Sequence, residues 1–309
     1  MTAPSWQARL LNPLLKYTVR PVIFPKVATP LRMRLTARAF AQVEKLRPTP
    51  GSARFEPVAD AEFAGEWVTT GKPGGRVLLY FHGGGYMIMS PRGYREFTAT
   101  LAHALGVRVL AVDYRQGADH PWPAPLHDAL ESYNWLLEQG VKAHDIIIGG
   151  DSAGGHLTLS TLLAIRDLGL PRPRGGIALS PWTNMACDFL SHDANRATDV
   201  LLDIDAVRSN AVFQCQGGNL RDPANSPAFA DYHGLPPLHI VASTSEILLD
   251  DARAARDAAR AAGVEVDYHE WDNMPHVFPT FYPLLPEARV ALDDMTHFVA
   301  ELFRRAPSN

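Results

Sequence analysis

The chain reads as an α/β fold with a mainly parallel central sheet flanked by helices, on three observations. From about residue 61 onward, short apolar runs rich in Val, Ile and Leu alternate with longer stretches of helical period. The runs are continuous rather than strictly alternating, the pattern of strands covered on both faces. The chain has 309 residues, 46% of them hydrophobic and 20% charged, enough apolar material for a large core.

Taken in order, residues 1–55 precede the sheet, and their prolines break them into short helical pieces. Within them, Trp6, Leu10, Leu14 and Leu15 fall near helical spacing and predict a short amphipathic helix that packs on its own protein; docking on a membrane or a lipid-like substrate is the rival reading. "EWVTT" (66–70) and "RVLLYFH" (76–82) predict two strands joined by a glycine-rich turn. Further strands are expected at 107–114, 145–150, 176–180, 238–243 and 264–271, with helices near 93–105, 124–139, 153–168, 249–262 and 286–304. Residues 183–226 separate two core strands by far more than the usual connection of about 2–6 residues. "DIDAVRSNAVFQC" (203–215) opens on an Asp cap with helical apolar spacing behind it, so this insertion predicts a folded lid.

One junction calls for chemistry. Residues 150–154, Gly-Asp-Ser-Ala-Gly, directly follow a predicted strand and directly precede a predicted helix. The pattern G-x-S-x-G makes a sharp turn that projects the serine hydroxyl above a sheet, where side chains two residues either side would meet neighbouring backbone. The N–H groups at the start of the helix favour negative charge there. A phosphate loop would need a lysine this stretch lacks, and the dinucleotide pattern G-x-G-x-x-G is not met. Ser152 is therefore the candidate nucleophile. "HGGGY" (82–86) ends an earlier strand, and a glycine triplet lets the main chain approach a substrate oxyanion; the N–H of Ala153 is the matching donor. His82 reads as a brace for that loop rather than a base. Serine needs a base and an orienting acid. Of 12 histidines, His276 alone sits in the loop directly after the last predicted strand. An acid is expected after 238–243, where Glu246, Asp250 and Asp251 stand.

Together, "HGGGY", "GDSAGG", the acid loop, "PHVF" and "DYRQGADHPWPAPLHDA" (113–129) resemble the hormone-sensitive-lipase-like esterases of the α/β-hydrolase superfamily, over about residues 76–285. The resemblance implies an α/β-hydrolase fold with a helical cap. Residues 1–55 would be the N-terminal part of the cap and 183–226 the cap insertion, with the catalytic domain at 56–182 and 227–309. It makes Ser152 the nucleophile, His276 the base, and Gly84, Gly85 and the Ala153 N–H the oxyanion hole, with Gly83 grouped in that loop and shaping it. The family's acid motif is often Asp-Pro-Leu-x-Asp, whereas this chain has Glu246-Ile-Leu-Leu-Asp250. Alignment places Glu246 at the acid position, with Asp250 the main rival and Asp251 further along the helix. Trp6, Met33, Tyr86, Phe189 and Phe213 are candidate walls of the acyl pocket, each equally readable as core.

The expected activity is hydrolysis of a small-molecule carboxylic ester of short to medium acyl chain through an acyl-enzyme. A lactone hydrolase on the same triad is an alternative, as is a non-catalytic ligand-binding protein on the same fold. No cofactor or metal is implied, because the sequence shows no ligand cluster. A net charge of −4 without a basic stripe argues against nucleic acid. Arg9, Asn12, Pro13 and Lys16 interrupt the first apolar stretch, so neither a secretory signal nor a stable membrane insertion is expected. Cys187 and Cys215 read as lone thiols of a cytoplasmic protein, and the family resemblance allows a homodimer.

Overall fold

The computed structural model describes residues 4–23, 26–72 and 74–306; Pro25 and Pro73, which belong to the stretches read above, lie outside them. Eight strands form one sheet in the order β1-β2-β4-β3-β5-β6-β7-β8. They are β1 (Arg54–Pro57), β2 (Ala64–Thr69), β3 (Val77–Phe81), β4 (Arg108–Asp113), β5 (Ile146–Asp151), β6 (Gly175–Leu179), β7 (Leu238–Ser243) and β8 (Val266–Trp271). β1–β2 and β2–β4 pair antiparallel; every pair from β4 through β3 to β8 is parallel. The helices are α1 (Trp6–Leu14), α2 (Arg20–Ile23), α3 (Pro30–Leu46), α4 (Pro91–Leu105), α5 (Ala124–Glu138), α6 (Ala153–Asp167), α7 (Leu190–Ala194), α8 (Ile204–Cys215), α9 (Leu249–Ala261) and α10 (Pro286–Arg304). Among the described residues no helix is long and apolar enough to cross a membrane.

Side chains along β3 show why the central strands read as unbroken apolar runs. Val77, Leu79 and Phe81 pack toward α5, α6 and α9, whereas Leu78 and Tyr80 pack toward α4 and α10. Successive residues point to opposite faces, and both faces are covered. The predicted strands and core helices are present to within two residues at each end.

Three expectations are corrected. β1 was not foreseen: "RFEP" is short, largely exposed and ends in proline, features of an edge strand with little apolar signal. It also places Arg54 and Phe55 in the sheet rather than before it. β2 and β3 follow one another in the chain but are not partners, because β4 lies between them. Of the four residues in the predicted first row, three turn outward and only Leu15, just past the end of α1, is buried. Trp6, Leu10 and Leu14 are exposed, while Ala8 and Leu15 face inward.

Between β6 and β7, residues 183–226 carry α7 and α8. Asp203 caps α8, accepting from the N–H groups of Asp205 and Ala206. The buried carboxylate of Asp251 ties the start of the insertion to α9. It accepts from the N–H groups of Thr183 and Asn184, both at 2.8 Å, and from His192 Nε2 at 2.7 Å. Asp251→Ala would leave two buried N–H groups and an imidazole without their acceptor, so a loss of about 3–5 kcal/mol is expected. A lowered midpoint in urea with an unchanged slope would show it; a midpoint within error of the parent would contradict this account.

Candidate active site

β5 ends in the glycine-flanked serine, and the packing explains each glycine. A Cβ on Gly150 would come within 2.5 Å of Gly154 O and of Phe81 O, and one on Gly154 within 2.0 Å of Phe81 O. Ser152 itself has φ 55° and ψ −118°, a strained conformation held by its N–H bond to Leu179 O at 2.8 Å and by bonds to its carbonyl from His156 and Trp182. The hydroxyl stands at the start of α6, whose first N–H groups have no intrahelical partner.

Two other loops converge on it. After β8, His276 lies with Nε2 2.8 Å from Ser152 Oγ and Nδ1 2.6 Å from Glu246 Oε2. The other Glu246 oxygen accepts the Ser243 N–H at 2.7 Å, so the acid is clamped at the end of β7. Ser243 Oγ holds the histidine loop by donating to Met274 O at 2.7 Å and accepting from the Met274 N–H at 3.0 Å. Glu246 is fully buried and His276 nearly so. Burial lowers the His276 pKa, but the hydrogen bond and charge of Glu246, helped by Asp199 and Asp151, outweigh it and hold the group above its ordinary value of 6.5.

The rival acids are committed elsewhere. Asp250 accepts from the Ser191 N–H and pairs with Arg253, and Asp251 binds His192 and the start of the insertion.

The glycine loop after β3 divides into two parts. Gly84 has φ +118°, and a Cβ there would lie 2.2 Å from Ile88 O, so only glycine fits. The N–H groups of Gly84 and Gly85 make no hydrogen bond among the described residues. Gly83 differs: its N–H reaches Asp151 Oδ1 and Tyr94 Oη, both at 3.1 Å. Gly83 therefore shapes the loop and does not offer a donor, which corrects its grouping with the oxyanion donors. His82 is a brace, as expected. Its ring stacks on Tyr114, its Nδ1 bonds Gly83 O at 2.7 Å, and burial lowers its pKa to about 4, so it stays neutral.

Several contributors escaped the sequence reading. Asp151, fully buried beside Ser152, accepts from Tyr80 Oη and Tyr94 Oη at 2.6 Å each, fixing the glycine loop to β5. Asn210 of α8 donates to Gly85 O at 2.6 Å, and Gln214 donates to Tyr86 O at 3.1 Å, so the insertion grips that loop directly. Asp199 accepts from the N–H groups of Leu201, Leu202 and Ile247, joining the insertion to the acid loop. The cavity over Ser152 is lined by Gly85, Trp182, Leu202, Ala206, Val207, Asn210 and Leu248. None of the five predicted wall residues is among them. Met33 and Tyr86 are core, and Trp6 is exposed. The cavity holds about 20 Å³, little more than one water needs.

A further cluster lies away from this site. Asp267 accepts from His239 Nδ1 at 2.7 Å and His269 Nε2 at 2.8 Å. These three groups could hold a metal ion, with their donor atoms within 4.8 Å of one another. Because they come from two adjacent strands, the sequence showed no such cluster.

A family model described as the alpha/beta hydrolase fold matches residues 78–280. The chain is 42% identical over 228 residues to an acetyl-hydrolase of Streptomyces hygroscopicus, covering 74% of this chain and 76% of that one. It is 31% identical over 305 residues to an esterase of Acinetobacter venetianus, covering 96% and 97%. Among solved structures, EstE5 soaked with p-nitrophenyl butyrate superposes with a TM-score of 0.89 at 33% identity, covering 97% of this chain and 100% of that one. An esterase from the bacterial hormone-sensitive lipase family superposes with a TM-score of 0.88 at 35% identity, covering 97% and 99%. Sheet order, glycine-flanked serine and these matches agree, and the chain belongs to the alpha/beta hydrolase fold family, in its hormone-sensitive-lipase-like branch.

Proposed function

We propose that the protein is a serine carboxylic ester hydrolase that works through an acyl-enzyme on Ser152. The observation that carries the reading is the continuous relay from Ser152 Oγ to His276 to Glu246, at 2.8 and 2.6 Å, beside main-chain N–H groups that have no acceptor among the described residues. His276 Nε2 takes the hydroxyl proton as Oγ attacks the ester carbonyl. The oxyanion is held by the N–H groups of Gly84, Gly85 and Ala153. The C–O bond to the alcohol breaks, and His276 returns the proton to that leaving group. Water then attacks the acyl carbon by the same route and restores Ser152. Glu246 keeps the proton on Nδ1 and stabilises the imidazolium that forms.

α1–α3 and residues 183–226 form the cap in this reading, with the catalytic domain at 56–182 and 227–309. The water-sized cavity supports a short acyl group, because Leu202, Val207 and Leu248 must part before even a small chain enters. A relative named for acetyl hydrolysis and a neighbour soaked with a butyrate ester agree with that size. The expected outcome in a p-nitrophenyl series is kcat/KM for acetate and butyrate exceeding that for decanoate by about tenfold or more. A p-nitrophenyl phosphonate tests the nucleophile. Attack by Ser152 Oγ on phosphorus breaks the P–O bond to p-nitrophenolate and leaves a stable phosphonyl serine. Release of one equivalent with the added mass on Ser152 supports the reading; neither release nor adduct overturns it.

A further inference from the structure

We propose that the exposed apolar rows of α1 and α3 dock on an anionic lipid bilayer. Among the described residues fifteen large hydrophobic side chains are exposed, and ten of them lie between residues 6 and 46. Such residues scattered singly need no explanation, but their concentration in one N-terminal segment does, and seven of the ten lie on α1 and α3. Trp6 and Leu10 are 68% and 67% exposed, one helical turn apart, and Leu14 continues the row. On α3, Leu31, Leu35 and Leu46 fall within about 60° of one another at 100° per residue, exposed by 67%, 54% and 85%.

Charge chooses the partner. The first 47 residues hold nine Lys or Arg and a single acid, Glu44, which is buried; the remaining chain holds 20 basic and 32 acidic residues. The net charge of −4 therefore conceals a strongly basic segment on an acidic body. On α3 the basic residues border the apolar row, with Arg38, Lys45 and Arg34 along one side and Arg32 on the other. Arg34 pairs with Asp119, whereas Arg32, Arg38 and Lys45 make no ion pair among the described residues. An apolar stripe edged with Lys and Arg and carrying a Trp is the chemistry of a helix that lies in the interface of a negatively charged membrane. A symmetric pairing of two copies through this face would set each basic border against itself, which disfavours that occupant. Neither helix can span a bilayer, so contact is superficial.

The test is flotation of the full chain with phosphatidylcholine vesicles, with or without 30% phosphatidylserine. Partition is expected to be at least tenfold stronger on the anionic vesicles and to fall steeply by 0.5 M salt. The triple change Arg32→Gln, Arg38→Gln, Lys45→Gln should lower it about a hundredfold. Leu10→Ser with Leu31→Ser should weaken binding to both vesicle types. All changed side chains are exposed, so unchanged thermal midpoints serve as the folding control. Absence of flotation at millimolar lipid overturns the proposal. So does sedimentation showing a dimer that the leucine pair dissociates, since a second copy would then cover the face.

Discussion

Ser152→Ala is expected to lower kcat toward p-nitrophenyl acetate by about 10⁶-fold while leaving KM within a few-fold. The hydroxyl is the nucleophile that forms the acyl-enzyme in the proposed route, so its loss leaves His276 with only a water to activate. Substrate binding does not need Oγ, because the cavity walls and the Gly84, Gly85 and Ala153 N–H groups remain. Folding should survive: alanine at φ 55° bears the same backbone strain as serine, and Ser152 N still bonds Leu179 O. The phosphonate adduct should vanish with the activity. Initial rates beside the parent enzyme check this, and an alanine variant within tenfold of the parent would require a different nucleophile.

Most of the architecture was legible because it depends on local chemistry repeated along the chain. Each central strand is apolar on both faces, and the nucleophile turn is written in five consecutive residues whose glycines leave no room for a Cβ, which would lie 2.0–2.5 Å from backbone atoms. Ser152 was a candidate from its G-x-S-x-G turn and His276 from its place in the loop after the last strand. Glu246 needed the family pattern, because three carboxylates follow β7 and only folding shows that Ser243 clamps one of them.

What escaped were residues whose roles arise from distant contacts. Asp151 looks like any residue inside the serine motif until Tyr80, Tyr94 and Gly83 are seen to donate to it. Asn210 is one polar residue of an ordinary helix, and its bond to Gly85 spans 125 positions. The residues lining the cavity over Ser152 were missed for the same reason. Leu202 lies just before α8 and Ala206 and Val207 in its first turn, whereas the predicted residues, four aromatics and Met33, lie elsewhere. The outward turn of Trp6, Leu10 and Leu14 was missed because periodicity marks a face without saying what covers it.

Glu246→Gln should separate the acid from its rivals by a shift as well as a loss. His276 acts as a base only when neutral, so kcat/KM of the parent should rise with pH and level off above a midpoint higher than 6.5. The midpoint lies there because the Glu246 carboxylate stabilises the imidazolium against burial. An amide of the same shape removes that charge, burial then prevails, and the midpoint moves down. The plateau should fall on the order of 10³–10⁴-fold, because the amide NH₂ favours the tautomer whose Nε2 already carries a proton. Asp250→Asn should move neither quantity appreciably, its carboxylate being held by Ser191 and Arg253. Rate profiles from pH 5 to 9 for both variants decide the matter. A buried structural acid that merely supported the loop could lower the plateau, but it would not displace the midpoint of the histidine. Loss of turnover with Asp250→Asn and a parental profile with Glu246→Gln would reverse the assignment.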